Sequence, residues 1–132
     1  MNKVVLDSDI IIDFFKGKKK HLKYLSNKVK DKEIQVLIPT VVYVEVMVGY
    51  EFENSQKIKR AESILSKFPS IDLTEEIADL AAKIGRENKI ANIGTVDLVI
   101  AATALNLNAD VATENTKHFK LVPKLKLFAL EK

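Results

Sequence analysis

Apolar and polar positions along this chain fall into short continuous apolar runs separated by longer stretches of helical period. Val4-Val5-Leu6 is β-branched and unbroken, the pattern of a strand buried on both faces. Asp7-Ser8-Asp9 closes it and supplies good capping residues for a helix that begins near Ile10. Lys16 to Lys32 is basic, with Leu22, Leu25 and Val29 at helical spacing. Gln35-Val36-Leu37-Ile38 reads as a second buried strand, closed by Pro39-Thr40. Thr40 to Phe52 is apolar nearly all round, which predicts a mostly buried helix. A further helix is expected from Ile58 to Phe68, then a brief strand at Ile71-Asp72-Leu73.

Thr74-Glu75-Glu76 opens another helix, to about Asn88, with acid in the first turn where the helix dipole favours it. Ile90 to Gly94 is a loop, and Thr95 is the expected cap of a very apolar helix from Val96 to Leu107. Asp110-Val111-Ala112-Thr113 is a strand, and Leu125 to Leu130 is expected to be another. Short apolar strands alternating with helices predict an α/β protein, a parallel sheet covered by helices on both sides. In such sheets ligands bind beyond the carboxyl ends of the strands, where the strand order switches.

Composition narrows the function classes. At 132 residues, with no repeat or Gly/Pro-rich linker, the chain reads as one domain over 1–132. No apolar run nears the roughly 20 residues of a membrane span, and the start lacks the pattern of a signal peptide. There is no cysteine, so no disulfide frame, thiol nucleophile or Cys-rich zinc site, and His21 and His118 lack metal-site spacing. The expected setting is the cytoplasm. The charge of +3 comes from 21 basic and 18 acidic residues, and only Arg60 and Arg86 of the basic ones are arginines.

Most of the acids sit in polar surroundings and read as solvated. Asp7, Glu45 and Asp97 do not. Asp7 stands directly at the carboxyl end of the first strand; it is either a cap or a ligand-site acid, and Ser8 or Asp9 suffices for the cap. On a helix, Glu45 shares a face with Val41, Val48, Gly49 and Phe52, so it requires a lysine partner or a cation. Gly49, one turn on, leaves room beside that carboxylate or simply serves packing. Asp97 alone reads as a first-turn acid worth about 0.3–1 kcal/mol through the dipole. As a set, three carboxylates meeting at one end of a sheet need a cation to offset their repulsion. An all-oxygen donor set selects Mg²⁺ or Mn²⁺ over zinc, and such a site favours phosphodiester hydrolysis.

Val-Leu-Asp-Ser-Asp-Ile-Ile-Ile-Asp at 5–13, Pro-Thr-Val-Val-Tyr-Val-Glu-Val at 39–46 and Asp-Leu-Val-Ile-Ala-Ala-Thr-Ala at 97–104 together resemble the PIN domain, in the small stand-alone form of VapC-type toxins. The resemblance spans essentially the whole chain. It implies a three-layer α/β/α sandwich with a central parallel sheet, flap-endonuclease-like, and Mg²⁺- or Mn²⁺-dependent cleavage of RNA. It assigns Asp7, Glu45 and Asp97 as the acids of the site. The family's fourth acid falls in Thr113-Glu114-Asn115-Thr116-Lys117-His118-Phe119, where the matching residue is Asn115, an amide that adds no charge. Glu114 is a substitute only if strand alternation does not turn it to the other face. Asp9 either adds charge or caps the helix, and Asp13 reads as structural.

RNA as substrate requires positive charge near the acids, and Lys18, Lys19 and Lys20 are the densest source. The resemblance also implies a homodimer and a small antitoxin partner, with the apolar 41–52 helix or Phe14-Phe15 as an interface. Two rivals remain at this level. A haloacid-dehalogenase-type phosphatase would use Asp7-Ser8-Asp9 as its nucleophile motif, but the chain has no later Gly-Asp-x-x-x-Asp-like motif. A PIN-like module that binds RNA or protein without cutting is kept open by Asn115.

Overall fold

The computed structural model describes residues 1–130. The parallel sheet is present. It has four strands, β1 (Asn2–Leu6), β2 (Ile34–Pro39), β3 (Ser70–Ile71) and β4 (Asp110–Ala112), in the order β3-β2-β1-β4. Every pairing is parallel, with Val4 opposite both Val36 and Asp110, and Leu6 opposite Ala112. Val4, Val5, Leu6, Val36 and Val111 are almost fully buried, which is why these strands read as continuous apolar runs.

Helices cover both faces and make a three-layer α/β/α sandwich. They are α1 (Ser8–Phe15), α2 (Lys20–Lys30), α3 (Thr40–Gly49), α4 (Ser55–Leu65), α5 (Glu75–Asn88), α6 (Thr95–Leu107) and the short α7 (Thr116–Phe119). Helix α6 lies on β1 and β4 and packs along α5, while α1 packs on α2 and α3. The apolar residues of strands and helices form one core cluster, with Phe119 of α7 buried in it. No described helix is long and apolar enough to cross a membrane.

Four expectations need correction. The basic stretch from Lys16 is not helical throughout: Gly17, at a φ of 93°, breaks the chain between α1 and α2. Helix α3 ends at Gly49 and is not mostly buried; only Val42 and Val46 are, while Tyr43, Val44 and Val48 face solvent. Thr95 is the first helical residue of α6, and Gly94 takes the cap position. Leu125 to Leu130 is not a full strand. Leu127 makes one parallel bridge to Val111, since β4 is only three residues long and offers little to pair with.

Strand order places the functional end. From β1 the chain steps to β2 and β3 on one side, and β4 returns on the other side of β1. The switch therefore lies between β1 and β4, where the Asp7 amide donates to the Ala112 carbonyl at 3.0 Å.

Candidate active site

Asp7 leaves β1 at this switch and is 5% exposed. It is the N-cap of α1, with Oδ1 accepting from the Ser8 amide at 2.8 Å, so Ser8 and Asp9 do not take over that task. Its other oxygen, Oδ2, accepts from the Thr113 hydroxyl at 2.7 Å. Burial, then the Asp9 carboxylate, push the Asp7 carboxyl up from 3.8 to about 7, and Asp97 adds to the rise. The hydrogen bonds from Thr113 and Ser8 only partly oppose it.

Asp9 stands beside Asp7 on the first turn of α1. Its Oδ2 accepts from Thr113 Oγ1 at 3.2 Å and from the Glu114 amide at 3.0 Å. Its Oδ1 is buried and has no protein partner. Burial raises this carboxyl too. The Thr113 hydroxyl, just past β4, thus sits between two carboxylates and also accepts from the Asn115 amide at 2.9 Å.

Glu45 reaches the same end from α3. It is half-buried rather than enclosed by apolar side chains, and its Oε1 accepts from Ser8 Oγ at 2.9 Å. Of the two partners expected for it, a lysine or a cation, no lysine stands against it among the described residues; the Ser8 hydroxyl is its described partner. Asp97, in the first turn of α6, is half-buried; its Oδ2 lies 3.7 Å from His118 Nδ1. That nitrogen is also 3.0 Å from Asn115 Nδ2. With the Asn115 amide donating, Nδ1 accepts, so Asp97 is a neighbour of the ring and not its hydrogen-bond partner. Asn115 thus joins the site through Thr113 and His118. Glu114 lies past the end of β4, where strand alternation no longer applies; its carboxylate meets His21 Nε2 at 3.1 Å and is raised by burial and then by Asp13 and Asp9.

The side chains do not form a ready-made cage: among the described residues, no three of His, Cys, Asp or Glu stand close enough together to hold a metal by themselves. The donor set nevertheless fits a hard divalent cation. Its ligand atoms are all oxygens, one buried carboxylate oxygen on Asp9 is unpartnered, and Asp7 and Asp9 are held near each other against their repulsion. Mg²⁺ in particular keeps several waters and needs few direct protein ligands.

Lys18 and Lys19 lie in the exposed turn between α1 and α2, and Lys20 opens α2. Lys20 lines a cleft with His21, Thr113 and Thr116, next to the acids. Lys19 points elsewhere, its Nζ 5.6 Å from the centre of the Phe14 ring. Sequence reasoning did not single out the hydroxyls of Ser8 and Thr113. Such residues abound in caps and turns, so only their position between carboxylates marks them.

A parallel sheet with carboxylates from β1, α3 and α6 at its switch point defines an acid-site α/β protein of the nuclease type. The chain belongs to the PIN domain family, whose model matches residues 4–125. It is 31% identical to a ribonuclease VapC of Rickettsia bellii over 96% of each chain. It is 30% identical to ribonuclease VapC1 of Methanocaldococcus jannaschii, over 98% of this chain and 86% of that one. Among solved structures, it is similar to VapBC-1 of nontypeable Haemophilus influenzae, with a TM-score of 0.78, 26% identity and 96% of each chain covered. A toxin–antitoxin complex from Klebsiella pneumoniae gives a TM-score of 0.73 at 27% identity, over 92% of this chain and 94% of that one. Family membership removes the dehalogenase-type alternative.

Proposed function

We propose that this chain is a metal-dependent endoribonuclease and the toxin of a toxin–antitoxin pair. The observation that carries the reading is the buried Asp7 at the carboxyl end of the sheet, with Asp97 near enough to raise its carboxyl and Glu45 bonded to the adjoining Ser8. The ribonuclease names of its relatives and the toxin–antitoxin complexes among its structural neighbours support it. In this reading the chain works in the cytoplasm as a homodimer and is silenced by a small antitoxin.

Asp7, Glu45 and Asp97 would hold the cation, Mg²⁺ or Mn²⁺, with the Asn115 amide oxygen as an uncharged fourth donor. A bound divalent ion there supplies an activated water and offsets charge on the phosphate. The protein's own groups do the placing. Thr113 bridges Asp7 and Asp9 through one shared hydroxyl, Ser8 fixes the Glu45 carboxylate, and His118 orients the Asn115 amide. Of Lys18, Lys19 and Lys20, Lys20 stands in the cleft beside Thr113 and brings positive charge to the RNA backbone there, while Lys19 lies over Phe14.

The test is cleavage of RNA by purified protein, stopped by EDTA and restored by Mg²⁺ or Mn²⁺. Asp7→Asn and Asp97→Asn proteins should fold and lose at least 100-fold in rate. Wild-type activity in either variant would remove the assignment. Tight RNA binding with no turnover in any divalent metal would favour the non-cleaving module that Asn115 keeps open.

A further inference from the structure

At the far end of α1 from the acids lies a second feature that cleavage chemistry does not use. Phe14 and Phe15 end α1, and Tyr50 and Phe52 follow α3. Their rings form a mutual edge-to-face cluster. Phe15 is 5.8 Å from each of Phe14, Tyr50 and Phe52, and Tyr50 is 4.9 Å from Phe52. The Tyr50 hydroxyl donates to the Phe15 carbonyl at 3.0 Å, which fixes its ring. All four side chains are only half-buried, in contrast to Phe119, which is wholly inside. They wall a cavity of about 180 Å³, small beside the roughly 300–1,000 Å³ of an ordinary small-molecule site. That volume suits one planar ring system.

The charged residues of the wall are all cationic: Lys19, Lys57 and Arg60. Glu51 and Glu53 flank Phe52 in sequence without lining the cavity, and Glu53 meets Lys57 only at 3.7 Å on the exposed side. Half-exposed aromatic rings beside a cationic wall are what single-stranded nucleic acid requires, with a base on the ring and phosphate on the cation. Position agrees. Ser8 at the start of α1 touches Glu45, and Phe15 is seven residues further along, about 10 Å at the helical rise. A single strand running from the acids covers that distance within a few nucleotides.

We infer that the pocket between α1 and α4 is a stacking subsite for one base of the RNA strand, a few nucleotides from the bond that is cut. The inference rests on the ribonuclease reading, and its test is chosen to separate the two. The chain contains no tryptophan. A Phe52→Trp protein therefore carries one tryptophan, at the proposed stacking surface, which can be excited selectively over the three tyrosines. Titration with an oligoribonucleotide of eight or so bases, in EDTA so that nothing is cut, should quench it saturably. The same oligomer with an abasic site at the stacked position should bind without that quenching. Phe52→Ala and Arg60→Ala should each weaken binding of the intact oligomer about tenfold by anisotropy. Both should raise KM for substrates that span the pocket, and leave kcat and the cleavage of shorter substrates as in wild type.

Binding and cleavage at wild-type strength in both alanine variants, with no quenching in Phe52→Trp, would overturn the subsite and leave the ribonuclease reading intact. It would give the pocket to a protein segment instead. Failure of every RNA to bind or be cut, by wild type as well, would overturn the ribonuclease reading and the subsite with it. A melting curve for each variant separates loss of the pocket from loss of the fold.

Discussion

At the scale of single residues, the site is built from hydroxyls set between carboxylates. The Asp7 carboxyl, pushed up to about 7 mainly by burial, has a direct thermodynamic consequence in the metal-free protein. Between pH 4 and 7 the folded state holds a proton on Asp7 that the unfolded state has released. Its contribution to stability is therefore complete below pH 3.8 and is lost as pH rises through 7. In EDTA, urea midpoints should fall across that window. Asp7→Asn, neutral in both states, should flatten the fall and be the more stable protein at pH 8, by a few kcal/mol at most. An equal pH slope in both proteins would show that Asp7 is not the titrating group. Thr113→Val tests the other partner. It keeps the shape and removes the hydroxyl that lowers the Asp7 value, so the Asp7 titration, followed by carboxyl NMR, should move upward. Cleavage should drop about tenfold, since two buried carboxylates lose the donor they share, a loss on the order of 1–3 kcal/mol.

At the scale of elements, legibility followed burial. β1, β2 and α6 could be read because their central residues are buried on all sides, and α5 because its buried Ile77, Ala81 and Ile84 recur at helical spacing. Asp7 and Asp97 were visible as acids adjoining such runs. Ser8 and Thr113 were not, because a hydroxyl after a strand looks the same whether it caps a turn or bridges carboxylates from segments 106 residues apart. Helix α3 misled for a different reason: apolar residues all round a helix describe a core helix and a helix with a face left for a partner equally well. Gly49, at its end, was read as room beside Glu45 or as packing. A Cβ there would meet Ile12 Cδ1 at 3.6 Å, an ordinary contact, and the backbone is not left-handed. Gly49→Ala should therefore stabilise the protein by about 0.5–1 kcal/mol in a urea titration and leave cleavage unchanged. A loss of activity would return Gly49 to the site.

At the scale of the whole molecule, the surface of α3 is the feature that the fold alone does not account for. Tyr43, Val44 and Val48 are 38%, 58% and 80% exposed, on a helix of ten residues whose buried side needs only Val42 and Val46. The Tyr43 hydroxyl donates to Glu62 of α4 at 3.3 Å, so α4 adjoins this face and widens it. A helix of that length spans about 15 Å, too little by itself for the roughly 800 Å² per partner of a stable interface. With α4 beside it the face is wider, and a two-fold contact that sets α3 against its own copy is the arrangement to test for the proposed homodimer. Val48→Glu would then place two like charges near the symmetry axis in a desolvated contact, while in a monomer it alters only a solvated position worth about 0.5 kcal/mol. Sedimentation should show the wild-type chain at twice its monomer mass and Val48→Glu at the monomer mass, with secondary structure unchanged by circular dichroism. A dimer of undiminished strength in Val48→Glu would move the interface to another face of the molecule.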